Sequence, residues 1–508
     1  MTVGSASQIL LAQHQEEGWP YMFEQDALAT IVGADNLLEH EDILRAHSGD
    51  FSFVPRVSPR LVVKARNTEE VQAIVRWANE TRTPLVPISS GPPHSYGDTV
   101  PSVGGAVIVD LNGMKRIIRI DRRNRVAMIE PGVTFTQLIP ALEKEGLAPL
   151  TPLVPRSSKS VVTAFLERTP ITTPRFHWES QDPLLCVEVV YGCGDLMRTG
   201  SAAGPGSIEE QWEVGRAQIR GMGPSQVDFT RLLQGAQGTM GIVTWATVRC
   251  RPLPKLKRMF LVPSDDLGLL IDMAYRITHK KLGEELLIVN GFNLASIVGE
   301  TREEIGMLSA KLPLWILLLG IDGAGLLPEE KIAYQEEEAI EIAQSCGLEL
   351  KAAVPGTSAE EVLAVLSQPS ADAGWKLKGG AGCGDVFFIT TLDRCAEFVD
   401  AAYGLAGRYR FPVRNLGVYI QPMVQGTNCH LEFSVSYELH DQQETDAVKR
   451  FIEEGGEIFA NMGAFFSRPY GPWARIAYGR EAQTVIGQRK LKNIFDPNGV
   501  MNPGKLCF

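Results

Sequence analysis

Leu85-Val86-Pro87-Ile88-Ser89-Ser90-Gly91-Pro92-Pro93-His94-Ser95-Tyr96-Gly97-Asp98 is the stretch whose reading decides the fold. Its first four residues have the apolar character of a short buried strand. The next ten either tolerate positive φ or fix φ near a turn value, so the strand is predicted to end in a tight loop. A loop in that position can turn backbone N–H groups toward a ligand phosphate. Just upstream, Leu61-Val62-Val63 reads as another strand. Thr68 reads as a helix N-cap, with Glu69 and Glu70 in the first turn and Val71, Ile74, Val75 and Ala78 on the apolar face. Residues 60–88 are therefore predicted to form a strand, a helix and a strand.

Downstream, strands are expected at 106–111, 117–121 and 125–130. Pro131-Gly132-Val133-Thr134 reads as a turn into a helix over 135–145. A hairpin is predicted from 184–191 and 196–199 around Gly192-Cys193-Gly194-Asp195. The strand 241–250 runs into Pro252-Leu253-Pro254, the expected domain boundary. Beyond it the pattern alternates more slowly, with helices at 267–279, 329–346, 359–366, 393–405 and 443–462 and strands at 286–290, 315–322, 416–422 and 429–437. That order implies a helix-flanked antiparallel sheet, suited to capping a substrate. A last helix over 484–494 precedes the turn Asp496-Pro497-Asn498-Gly499.

A chain of 508 residues exceeds what one hydrophobic core supports, so at least two domains are expected. The net charge of -11 argues against a nucleic-acid partner, which needs a concentrated basic face. The most apolar run, 312–321, is too short to span a bilayer and reads as a buried strand. No secretory signal is visible in the first 15 residues, so a cytoplasmic location is expected. None of the 8 cysteines forms a Cys-x-x-Cys pair, which removes the usual zinc and iron–sulfur spacings. No metal site is expected, and redox chemistry, if present, needs another carrier.

The loop 88–98, the run from Asp110-Leu111 to Pro131-Gly132-Val133-Thr134, Ser160-Val161-Val162, Glu188-Val189-Val190 to Arg198-Thr199-Gly200, Gly238-Thr239-Met240-Gly241-Ile242-Val243-Thr244, and Phe495-Asp496-Pro497-Asn498-Gly499 to Asn502-Pro503-Gly504-Lys505 come in an order that resembles one family. It is the FAD-linked oxidoreductase family of vanillyl-alcohol oxidase and the flavoprotein subunit of para-cresol methylhydroxylase. The resemblance runs from about residue 57 to the C-terminus. It implies an α+β, two-domain FAD-binding fold with a helix-flanked antiparallel-sheet cap. The expected division is an N-terminal arm at 1–56, an FAD-binding domain at 57–254, a cap or substrate domain at 255–470, and a segment returning to the FAD domain at 471–508. No glycine pattern of the Rossmann dinucleotide type opens a helix after the first strand, which favours the family's own flavin fold.

The resemblance also implies site residues. FAD contacts are expected at Ser90, Gly91, Pro92, Pro93, His94, Ser95 and Gly97, and at Pro131, Gly132, Val133, Thr134 and Ser160. Further contacts are expected at Gly238, Gly241, Ile242, Val243 and Asn502. The pyrophosphate would be held by backbone dipoles, an acidic chain having few other means. Tyr96 matches a tyrosine that bonds a substrate phenol oxygen, and Arg475 falls near the C-terminal Tyr-Arg pair that completes the phenolate site. Ala474 stands where the tyrosine of that pair belongs, so Tyr470 or Tyr478 must supply the hydroxyl. Glu179 counts to an acid or base beside the flavin, with His177 as the alternative base. Non-covalent FAD is favoured, with covalent attachment open at His94 or His430. Hydride transfer from the para side-chain carbon of an alkylphenol or benzylic alcohol to flavin N5 is the implied reaction. A small aromatic substrate, oxygen or a redox protein as acceptor, and a homodimer complete the expectation. The competing readings are an FAD-dependent 2-hydroxyacid dehydrogenase, with Arg475 on a carboxylate, and a non-catalytic flavin-binding or assembly protein.

Overall fold

Strand Leu61–Lys64, helix Thr68–Thr81 and strand Leu85–Ile88 form the unit predicted over 60–88. The computed structural model describes residues 19–223, 227–371, 373–411 and 415–508. Asn67, not Thr68, is the N-cap: its extended backbone lies just outside the helix and its side chain accepts from the Glu70 N–H at 2.8 Å. The Thr68 hydroxyl is left to donate to Glu188 Oε1 at 3.0 Å, which pins the helix to the next sheet. Both strands pair in parallel with Val107–Asp110, Val62 and Val86 lying opposite Ile108. Leu37–Leu38 adds an antiparallel edge to make four strands. Parallel pairing needs a crossover, and the helix supplies it.

A six-stranded antiparallel sheet follows, organised on the long strand Gly241–Pro252, which pairs with Leu184–Tyr191, Val126–Ile129 and Leu147–Pro149. Every residue of Leu184–Tyr191 is buried, because both faces of the sheet are covered. Val187, Val189 and Tyr191 pack against helices Phe135–Lys144 and Val161–Leu166, while Val190 on the other face joins the core of the parallel sheet.

The cap is a second six-stranded antiparallel sheet in the order Leu256–Ser264, Trp315–Gly323, Glu285–Asn290, Leu416–Met423, Asn428–Glu438, Ala381–Thr390. Leu286 and Ile288 face helices Leu267–His279, Cys395–Arg408 and Gln442–Asn461, whereas Leu287 and Val289 face Gly291–Val298 and Ala359–Leu366. Covering both faces makes Trp315–Gly323 the continuous apolar run seen in the sequence. Strand Ala381–Thr390 was not expected, since Gly382 and Gly384 weaken its strand signal. Packing requires both: a Cβ at Gly382 would lie 2.4 Å from the Tyr437 ring, and one at Gly384 2.5 Å from Val448.

Helix Pro472–Gly479 is also new, and it packs on Gln442–Asn461 through Trp473 and Ile476, within the cap. The return to the first two sheets comes later than residue 471, at helix Ala482–Phe495. There Lys492 Nζ donates to Met501 O at 2.9 Å and pairs with Asp496 at 2.5 Å, and Met501 bridges to Leu85. Among the described residues no helix is long and apolar enough to cross a membrane.

Candidate active site

Where strand Leu85–Ile88 ends, loop 89–98 forms one wall of a cleft whose other walls come from 152–170, 233–243 and the cap. The cleft has a volume of about 300 Å³ and runs from the loop to the cap.

Ser89, Ser90, His94, Ser95 and Tyr96 line the cleft, and their backbone N–H groups donate to no protein acceptor among the described residues. Gly91 and Gly97 instead spend theirs, on Ser158 O at 3.1 Å and Asp50 Oδ2 at 2.7 Å. Gly97 is needed for its φ of 75° and for close approach to Val54. Arg156, whose guanidinium also donates to Gly91 O at 2.7 Å, and Lys159 line the cleft beside this loop. Burial first, then the charges of Arg156 and Lys159, push the His94 imidazole down to about 3. Unspent donors next to the Arg156 guanidinium fit a pyrophosphate, while Lys159 is already paired with Glu167 at 2.5 Å. Sequence reasoning supplied the loop but not the cations, because Arg156 and Lys159 reach it only through tertiary packing.

The second glycine loop has a different part. A Cβ on Gly132 would lie 2.7 Å from the carbonyl oxygens of Asn112 and Met114, and its N–H bonds Met114 O, so Gly132 is a close-packing turn. The Thr134 N–H donates to Gln137 Oε1 at 3.2 Å, capping helix Phe135–Lys144, and Val133 O accepts from Val161 N. Ser160 caps helix Val161–Leu166 and donates to Pro131 O at 2.5 Å. Of these residues only Pro131 reaches the cleft, where Pro93 and Gly238, Gly241, Ile242 and Val243 also stand. Pro92 is exposed, joined to Pro93 by a cis peptide bond. Asn502 is fully buried; its Nδ2 donates to Asp98 O and Gln237 O, and its Oδ1 has no partner.

At the cap end the cleft becomes an aromatic chamber. The Tyr96 and Tyr470 rings stack with centroids 4.9 Å apart, and Phe387 meets Tyr96 edge-on at 5.4 Å. Arg468, 5% exposed, lies 4.0 Å over the Phe387 ring, and its guanidinium makes no hydrogen bond or ion pair with any described residue. A buried guanidinium without an anion is costly unless a ligand supplies one. Burial raises the Tyr96 and Tyr470 phenols far above their ordinary range, so both remain hydrogen-bond donors.

Beside them lies a buried charge cluster that no local motif announced. Lys376 Nζ sits 2.7 Å from Asp385 Oδ2 and 2.5 Å from Glu432 Oε1. Glu432 Oε2 is 3.3 Å from His430 Nε2. Lys376, Asp385 and Glu432 line the cleft. Burial lowers His430 to about 4, with Glu432 opposing.

Arg475 requires a correction. In helix Pro472–Gly479 the buried Trp473, Ala474 and Ile476 turn inward, so Arg475 is exposed and Arg468 is the arginine that reaches the chamber. The sequence signal was Arg468-Pro469-Tyr470, which carries arginine and tyrosine in reversed order. Glu179 also lies outside: it is exposed, and its Oε2 accepts from Asn428 Nδ2 at 2.8 Å. His177, 3% exposed, sits behind the wall with Nδ1 accepting from the Glu179 N–H, and burial with His430 nearby pushes it to about 3. Among the described residues no group of three or more His, Cys, Asp or Glu side chains could hold a metal ion.

Residues 59–200 match the family model described as an FAD binding domain. The chain is similar to a glycolate oxidase subunit of Bacillus subtilis, at 25% identity over 95% of this chain and 96% of that protein. It is also similar to the flavoprotein subunit of the hydroxylating 4-cresol dehydrogenase of Pseudomonas putida, at 30% identity over 53% of this chain and 50% of that one. The crystal structure of p-cresol methylhydroxylase with substrate bound superposes with a TM-score of 0.81 at 20% identity, covering 97% of this chain and 98% of that one. The chain thus has the two-domain α+β FAD-binding fold, its cofactor is FAD, and it is an FAD-dependent oxidoreductase.

Proposed function

We propose that the enzyme oxidises a para-substituted phenol, an alkylphenol or a benzylic alcohol, held as its phenolate in the chamber at the cap end of the cleft. The observation that carries this reading is Arg468, buried without a protein anion and flanked by the stacked Tyr96 and Tyr470. FAD, when bound, supplies the acceptor for the hydride leaving the para side-chain carbon. Arg468 offsets the phenolate charge, Tyr96 and Tyr470 donate hydrogen bonds to the phenol oxygen, and Phe387 backs Tyr96 and Arg468 from behind. Loss of hydride from a phenolate leaves a neutral, conjugated quinone methide, so the anion site favours the reactive form of the substrate. The loop 89–98 with Arg156 takes the FAD pyrophosphate, and non-covalent FAD is the form we favour. His94 is the cleft-lining histidine of the two considered for attachment.

A second reading has a specific observation behind it: the likeness to the glycolate oxidase subunit spans 95% of this chain, whereas the likeness to the cresol enzyme spans 53%. Arg468 would then bind the carboxylate of a 2-hydroxy acid. Anaerobic addition of para-cresol, vanillyl alcohol, glycolate and D-lactate to the purified holoenzyme separates the two. Bleaching of the flavin bands by the phenols supports the proposal; bleaching by the hydroxy acids alone overturns it.

A further inference from the structure

The two tyrosines of the chamber come from distant parts of the chain, yet each is followed by a glycine of positive φ, Gly97 at 75° and Gly471 at 48°. One side chain of the N-terminal arm lies against both steps. A Cβ on Gly97 would stand 2.7 Å from Val54 Cγ1, and one on Gly471 would stand 3.7 Å from the same carbon. Val54 thus sits where Tyr96-Gly97 and Tyr470-Gly471 converge, and the two tyrosine rings stack with centroids 4.9 Å apart. Val54, Tyr96, Tyr470 and Gly471 also line a small cavity of about 70 Å³ that adjoins the chamber.

We propose that segment 50–54 of the arm is a positioning element for the phenol site: Asp50 fixes Tyr96, and Val54 sets its spacing from Tyr470. This rests on the phenol reading above, in which both hydroxyls meet the substrate oxygen. Neither Asp50 nor Val54 lines the cleft, so both act through the tyrosines.

Hydrogen bonds tie the arm to the backbone on both sides of Tyr96. Asp50 Oδ2 accepts from the Gly97 N–H at 2.7 Å, and the Phe51 N–H donates to His94 O at 2.9 Å. Asp50 Oδ1 accepts from the Ser52 N–H at 2.9 Å and from the Ser52 hydroxyl, which holds the carboxylate in place. A carboxylate bond to a backbone N–H is charge-assisted and among the stronger kinds. The other end of the segment is anchored to the cap. The Phe53 ring lies 5.9 Å from that of Tyr437, and Phe53 packs on the cap core. The arm therefore joins loop 89–98 to the cap at the point where the tyrosines meet. The first half of the loop is held separately: the Gly91 N–H donates to Ser158 O at 3.1 Å, and Arg156 donates to Gly91 O at 2.7 Å. Loosening the arm should accordingly be felt at Tyr96 and not at Gly91.

The test measures two dissociation constants for each protein: that of 4-nitrophenol, a redox-inert phenol, for the holoenzyme by equilibrium dialysis, and that of FAD by ultrafiltration of reconstituted enzyme. Asp50→Ala removes the tie to Gly97, and Val54→Ala removes the spacer. Each is expected to raise the Kd for 4-nitrophenol about tenfold and the Kd for FAD by less than about twofold. In a Tyr96→Phe, Tyr470→Phe background the same two changes should move the 4-nitrophenol Kd by less than about twofold, because the hydroxyls they position are gone. An unchanged Kd for 4-nitrophenol in either variant overturns the inference. So does an equal loss with and without the two hydroxyls, or a Kd for FAD that rises in step, since either makes the arm a general support of the fold. Val54→Ala only shortens a half-buried side chain, and it decides alone if Asp50→Ala does not fold. A wild-type holoenzyme that does not bind 4-nitrophenol overturns the phenol reading itself, and this inference with it.

Discussion

Replacing Arg468 by methionine should separate catalysis from stability. The guanidinium is buried, has no protein carboxylate, and is supported in the free protein by the Phe387 ring 4.0 Å away. That contact is worth about 0.5–2 kcal/mol, and it is set against the cost of keeping a charge out of water. Methionine fills similar apolar space, so thermal stability should change by less than about 1 kcal/mol. With phenolate present the balance differs. Opposite charges about 4 Å apart at an effective dielectric of about 20 attract by about 4 kcal/mol. Loss of one preorganised donor to a developing or bound oxyanion costs about 10²- to 10³-fold. Arg468→Met should therefore lower kcat/KM for para-cresol by about that factor while leaving Tm nearly unchanged. Arg475→Met, at an exposed position, should change kcat/KM by less than about twofold. Anaerobic stopped-flow reduction of the flavin gives the rates, and thermal melts of both variants give the stabilities. An Arg468→Met enzyme with near wild-type kcat/KM, or an Arg475→Met enzyme with the larger loss, would refute the reasoning.

Other outcomes follow from the same geometry. Arg156→Met removes a cation beside loop 89–98 and its bond to Gly91 O, so the Kd for FAD should rise about ten- to a hundredfold, measured by ultrafiltration of reconstituted enzyme. Lys492→Met leaves the fully buried Asp496 side chain without its cation, and unfolding should become easier by about 3–5 kcal/mol, seen in chemical denaturation. His94 carries the opposite lesson. It is neutral in the folded protein down to about pH 3, so below its ordinary value of 6.5 the unfolded chain binds a proton that the folded one does not. Its stability contribution is therefore complete above pH 6.5 and is lost as pH falls toward 3. Relative to His94→Gln, the wild type should lose about 1.4 kcal/mol per pH unit through that window, and parallel stability–pH curves for the two proteins would contradict this.

What was legible in the sequence was whatever is encoded locally. The unit 60–88, the hairpin 184–199 and the cap helices were visible because apolar periodicity, turn residues and caps lie within a few residues of one another. The strand Ala381–Thr390 was hidden because its two glycines are set by the Tyr437 ring and Val448, contacts made across the sheet and to a helix. The loop at 89–98 could be read, yet the cations beside it come from 156 and 159, which nothing near residue 90 signals. Arg475 falls near the position the resemblance implies, but helical phase turns it to water, and Arg468, upstream of that helix, is the arginine in the chamber. Lys376, Asp385 and Glu432 come from three separate segments, so their cluster exists only once the sheet has formed.

The most direct test of the account is a crystal structure of the holoenzyme with a redox-inert para-substituted phenol bound. The account predicts the phenol oxygen within hydrogen-bonding reach of Arg468 and of the Tyr96 and Tyr470 hydroxyls, with the para substituent directed toward the flavin. A phenol bound elsewhere, or one in this chamber with its oxygen turned away from Arg468, would contradict it.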